Sequence, residues 1–85
     1  MPRKEKPIHT MEMRRQLDTA RIYRQTVSLR FWKLSTGDIV ELRGWIVKNG
    51  HWRGGTHTFL NPANGEMRKV RAITIFEYMN HEIYL

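Results

Sequence analysis

The chain has 85 residues, a formal net charge of +7, a sequence pI near 10.4 and no cysteine. That excludes a second domain, a disulfide-stapled secreted scaffold and a thiolate metal centre. At this size one hydrophobic core is barely sufficient, so several apolar side chains are expected to stay wet or to be covered by a partner.

Charge is distributed unevenly along the chain. Residues 1 to 33 hold nine basic against three acidic residues, while residues 34 to 85 hold six against five. Such asymmetry favours a polyanionic partner. Residues 1 to 9 contain Pro2, Pro7, four charges and a single aliphatic, Ile8, and read as a mobile basic tail. No apolar stretch of signal-peptide or membrane-span length follows, so the expectation is a soluble, cytoplasmic protein without a membrane partner.

A helix is predicted over residues 10–25. Thr10 can cap its start, no Gly or Pro interrupts Met11 to Gln25, and Glu12 and Arg24 suit the helix dipole. Its apolar stripe of Met13, Leu17, Ala20 and Tyr23 is narrow and needs docking to be stable. From Thr26 the period becomes two. Val27, Leu29 and Phe31 share one face and Ser28, Arg30 and Trp32 the other. After the turn at Ser35-Thr36-Gly37-Asp38, a second strand puts Val40, Leu42, Gly44 and Ile46 on one side and Glu41, Arg43, Trp45 and Val47 on the opposite side.

Asn49-Gly50 is read as a type I′ hairpin turn, which sets Lys48 opposite His51, Val47 opposite Trp52 and Trp45 opposite Gly54. Gly54-Gly55 then marks a bulge or bend before Thr56 to Leu60. Asn61-Pro62-Ala63-Asn64-Gly65 is a further turn leading to one long strand from Glu66 to Tyr78, apolar on both faces between Ile73 and Phe76. A last tight turn at Asn80-His81 precedes Glu82 to Leu85, which is expected to pair within the sheet or across a dimer.

The expected fold is therefore mainly β (α+β): residues 1–9 as tail, residues 10–25 as helix and residues 26–85 as a small five-stranded antiparallel meander. In order and strand number this is similar to the partly closed Sm-like and SH3-like barrels. The similarity is one of topology, because Met79-Asn80-His81 stands where Sm-like proteins carry a glycine-containing signature. Fold analogy of this kind implies little about function.

Trp32, Trp45 and Trp52 all fall off the main apolar stripe and interleave with Arg30, Arg43 and Arg53. Aromatic faces among guanidinium groups are what single-stranded nucleic acid uses, through base stacking and backbone contacts. The same rings can instead complete a core beneath the helix or a second subunit. Basic residues recur at Arg14, Arg15, Arg21, Arg24, Arg30 and Lys33, and again at Arg68, Lys69 and Arg71, spacings suited to several phosphates. Arg53-Gly54-Gly55 resembles a single RGG element, but a bulge explains it better.

His9, His51, His57 and His81 show neither tight helical spacing nor cysteine company, so neither metal nor cofactor is expected. The carboxylates are scattered, and no phosphate loop or nucleophile elbow is present, which argues against an enzyme. The leading expectation is a small nucleic-acid-binding module, for RNA or single-stranded DNA ahead of duplex. The alternative is a protein-interaction or homo-oligomerising module, a homodimer or the receptor of an acidic protein.

Overall fold

The computed structural model describes residues 5–51 and 54–85. The elements in chain order are β1 (Glu5–His9), α1 (Thr10–Ile22), β2 (Thr26–Trp32), β3 (Ile39–His51), β4 (Thr56–Leu60), β5 (Met67–Arg71), a 3-10 turn (Ala72–Thr74), β6 (Ile75–Tyr78) and β7 (His81–Tyr84). All seven strands join one sheet in the order β1-β7-β6-β2-β3-β4-β5. The β1–β7 pair is parallel and the other pairs are antiparallel. The architecture is thus mainly β with one helix, as expected, but the sheet is seven-stranded, mixed and open, with β1 and β5 at its edges, in place of a five-stranded meander or barrel.

The first departure is at the N-terminal side. Residues 5–9, expected within a mobile tail, form β1, while residues 1–4 lie outside the described residues. Glu5 N–H donates to the Asn80 carbonyl at 3.0 Å, and His81 Nδ1 meets the Lys6 carbonyl at 2.7 Å. A sheet edge satisfies backbone groups without requiring the added strand to bury its own side chains, which composition does not reveal. His9, rather than Thr10, caps the helix, its Nδ1 accepting from Met11 N–H at 3.0 Å.

The helix also stops earlier than residue 25. Arg24 takes φ +54° just past its end, and Gln25 N–H bonds back to the Ala20 carbonyl at 2.9 Å, the closure that terminates helices with a left-handed residue. Met13, Leu17 and Ala20 are buried as the stripe predicts, whereas Tyr23, beyond the last turn, is exposed. These three residues pack on Val27, Leu29, Phe31, Leu42, Phe59 and Val70 of the sheet.

β3 contains the decisive irregularity. Leu29 faces Leu42 and Val27 faces Trp45, so Ser28 alone stands opposite Arg43 and Gly44. Gly44 has φ +66° and its N–H donates to Ser28 Oγ at 3.2 Å, a bulge that needs a residue tolerant of the left-handed region. One inserted residue reverses the side-chain alternation. Leu42 points inward before the bulge, and Trp45 and Val47 point inward after it, opposite to their predicted face.

Two further breaks follow. Asn49-Gly50 is not the hairpin turn: pairing continues through Asn49↔Thr58, Gly50↔His57 and His51↔Thr56, so the chain reverses between His51 and Thr56. Val47 accordingly faces Phe59 and not Trp52. The predicted strand from Glu66 to Tyr78 is divided by the 3-10 turn, where Thr74 Oγ1 donates to the Arg71 carbonyl at 2.7 Å. β5 consequently lies at the sheet edge beside β4, while β6 runs between β7 and β2. The last reversal sits at Met79-Asn80, one residue before the expected Asn80-His81, with both residues at positive φ as a two-residue hairpin of this hand requires and His81 already paired in β7.

Nothing lies within 4 Å of a Cβ added at Gly44. Gly44→Ala should therefore destabilise by its backbone alone, by about 1 kcal/mol. Urea unfolding measures this, and an unchanged or raised midpoint would show that the strand does not bulge there.

Candidate functional site

The three tryptophans do not share a surface. Trp45, expected outside, is 7% exposed and belongs to the core, because the Gly44 bulge turns it inward. Trp52 and Arg53 lie outside the described residues. Trp32 is 47% exposed at the end of β2, its ring 5.2 Å from that of Phe76 at an interplanar angle of 48°. The Arg30 guanidinium lies 5.4 Å from the Phe76 centroid and 3.8 Å from Glu77, with which it pairs across β2 and β6.

Trp32 borders a cleft of about 250 Å³. One wall is the end of β2 and the following turn, with Trp32, Lys33 and Leu34; the other is β5 and the 3-10 turn, with Lys69, Arg71 and Thr74. Buried Phe31 and Val70 lie beneath. The cleft exists because the chain leaves β5 through the 3-10 turn and not as a continuing strand, so β5 keeps an unpaired edge near the end of β2. The turn after β2 is fixed by backbone bonds: Lys33 N–H to the Asp38 carbonyl at 2.8 Å and Gly37 N–H to the Lys33 carbonyl at 2.6 Å.

Lys33, Lys69 and Arg71 are exposed, and among the described residues no carboxylate comes within 4 Å of any of them. Cations on an edge strand also discourage pairing with another sheet, so β5 has a protective reason to be basic. That reason does not extend to Lys33, which lies in a turn on the opposite wall.

The other predicted basic residues are dispersed and mostly paired. Arg15 meets Glu12 at 3.8 Å, Arg21 meets Asp18 at 2.7 Å, and Arg68 meets Glu66 at 3.3 Å. Arg43 bonds Glu41 at 2.6 Å, and that hydrogen bond and charge raise its pKa further above the ordinary arginine value. Arg14, on α1, is half-buried. Arg24 lines a separate groove of about 420 Å³ with Arg21 and Lys48 over Ile46, Val47 and Leu60. Of the basic and aromatic residues picked from sequence, the structure gathers Trp32, Lys33, Lys69 and Arg71, with Arg30 joined through Phe76. Leu34, Thr74 and Phe76 carry no signal in the sequence, since only the 3-10 turn brings β5 and β6 into these positions.

His57 on β4 is 3% exposed and its Nε2 has no hydrogen-bond partner. Burial pushes its pKa down to about 4; the Arg14 charge lowers it further and Asp18 opposes both. The imidazole is neutral in the folded protein, whereas the unfolded chain binds a proton below the ordinary value of 6.5. Stability should be fully present above pH 6.5 and fall as pH drops toward 4, by roughly 2–3 kcal/mol. Urea midpoints across that window test this, and His57→Leu should flatten the slope; an equal slope in the variant would assign it to other groups.

Burial also separates the tryptophans in their expected behaviour. Trp45→Ala should cost roughly 3–5 kcal/mol or prevent folding, while Trp32→Ala should stay within about 0.5 kcal/mol of the parent in thermal or urea unfolding. Similar losses for both would mean that Trp32 is packed, not presented.

Among the described residues no three metal-ligating side chains converge, and no helix is long and apolar enough to cross a membrane. In comparisons with known proteins, the chain matches no protein-family model, no curated protein and no solved structure.

Proposed function

We propose that this chain is a binding module for single-stranded nucleic acid, RNA or DNA, and that the Trp32 cleft is its contact site. The observation that carries the reading is one solvent-exposed indole beside a cleft whose two walls present Lys33, Lys69 and Arg71 without neutralising carboxylates. A base stacked on an exposed aromatic contributes roughly 1–3 kcal/mol, and cations flanking it meet the backbone while releasing counterions. Phe76 supports the indole from β6, and Arg30 in turn rests on Phe76. In this reading β2 to β6 form a partly closed SH3-like or Sm-like unit that stays open at the cleft, with β1, β7 and α1 added beside it. The overall charge of +7 assists encounter with a polyanion at low salt.

A second reading rests on a different observation. Ile39 faces Trp32 across β2 and β3, and these two exposed side chains with half-buried Phe76 make an apolar row bordered by the paired Arg30–Glu77 and Arg43–Glu41. A locally neutral apolar strip suits contact with protein, including a second copy of the chain.

Fluorescence anisotropy with a labelled single-stranded oligonucleotide tests the first reading. Three phosphate contacts predict a slope of log K against log salt of about −2. Lys69→Glu with Arg71→Glu should abolish binding at an unchanged urea midpoint, and Arg15→Glu, at a residue already paired with Glu12, should change it little. A concentration-dependent dimer in sedimentation with Trp32 shielded from quencher, and no oligonucleotide binding, would favour the second reading.

A further inference from the structure

How much of a strand the cleft can hold follows from its walls, given the single-strand reading on which this step rests. Lys33 stands on one wall and Lys69 with Arg71 on the other. Among the described residues one accessible ring stands between them, because Phe31 is buried and Phe76, though packed on Trp32, does not line the cleft. A volume of about 250 Å³ is also smaller than the roughly 300–1,000 Å³ of sites that enclose a drug-sized molecule. A backbone running along the cleft would bring successive bases against Leu34 and Thr74, neither of which offers a π face. A backbone crossing from wall to wall needs only one stacking surface and meets a cation on each side.

We infer that the cleft takes a single unpaired nucleotide of a strand that crosses it, with the base on Trp32 and the flanking phosphates on Lys33 and on Lys69 and Arg71. Recognition of this kind selects an exposed base, as in a loop, bulge or chain end, and rejects continuous duplex, whose bases remain stacked. It also implies weak dependence on strand length, in contrast to proteins that track a strand over successive aromatic platforms. Sequence preference would be slight, because every base has a face to stack.

The test compares four probes on the full-length chain at one low salt concentration: a thymidine tetranucleotide, the same tetranucleotide with one base and three abasic positions, a fully abasic tetranucleotide, and a thymidine dodecanucleotide. The one-base probe should bind within about threefold of the complete tetranucleotide, the abasic probe should lose about tenfold or more, and the dodecanucleotide should gain only the factor expected from its larger number of positions. Trp32→Ala should bring the one-base and abasic probes to equal affinity, and Trp32→Phe should restore the difference, with urea midpoints confirming that both variants fold. A one-base probe as weak as the abasic one, or affinity that climbs steadily to twelve nucleotides beyond the statistical factor, overturns the single-nucleotide inference while leaving the single-strand reading intact. Failure of all four probes to bind removes both.

Discussion

The bulge that sets Arg43 and Gly44 against Ser28 governs which side chains this small domain can bury. An 85-residue chain has few large apolar groups, and a core assembled without one of its three tryptophans would be poorer still. In a regular strand, Leu42 inward would force Trp45 and Val47 outward and bring Ile46 in. A single residue in the left-handed region, closed by the Ser28 hydroxyl on the Gly44 N–H, reverses that order and lets Trp45 join Leu17, Leu29 and Phe59. Glycine makes this inexpensive because no Cβ opposes the following carbonyl.

The 3-10 turn at Ala72–Thr74 has the complementary effect on the outside. An unbroken strand from Glu66 to Tyr78 would have one row of neighbours; broken, it sends β6 to the middle of the sheet and leaves β5 at an edge. The gap between that edge and the end of β2 is the cleft, which is why Lys69 and Arg71 come to stand across from Trp32 and Lys33, more than thirty residues earlier in the chain. Two local irregularities thus sort the aromatics, sealing Trp45 and presenting Trp32.

Charge is sorted by a similar logic. On the helix, Arg15 and Arg21 have acidic neighbours three residues away; on the sheet Arg30 and Arg43 have acidic neighbours on an adjacent or the same strand, and Arg68 has Glu66 just before its strand begins. Exposed pairs of this sort contribute little to stability, about 0–1 kcal/mol each, but they cancel the local field. The unneutralised cations near Trp32 therefore stand out more than the total charge implies, and a cleft focuses what field remains. His57 lies on the other side of this arrangement, between α1 and β4, where its neutral ring fills space in the core and has no share in the exposed field.

Much of the outline could be read from the residues alone. Spacing of Met13, Leu17 and Ala20 located the helix and its buried stripe, and alternation of Val27, Leu29 and Phe31 located the first core strand with Arg30 and Trp32 on its outer face. These are short-range patterns, set by the periods of helix and strand. What they cannot carry is any feature whose stability is returned by a distant partner. Gly44 signals a bulge only once Ser28 lies across from it, Asn49-Gly50 gives up its turn preference to pairing with Thr58 and His57, and residues 5–9 gain order from the edge that β7 offers and from the core on which Ile8 packs. The sequence by itself determined the mainly β class, the helix and its buried face, and the excess of positive charge; tertiary structure alone decided the strand at residues 5–9, the sheet order, the burial of Trp45 and the cleft at Trp32, because each depends on hydrogen bonds and contacts between segments far apart in the chain.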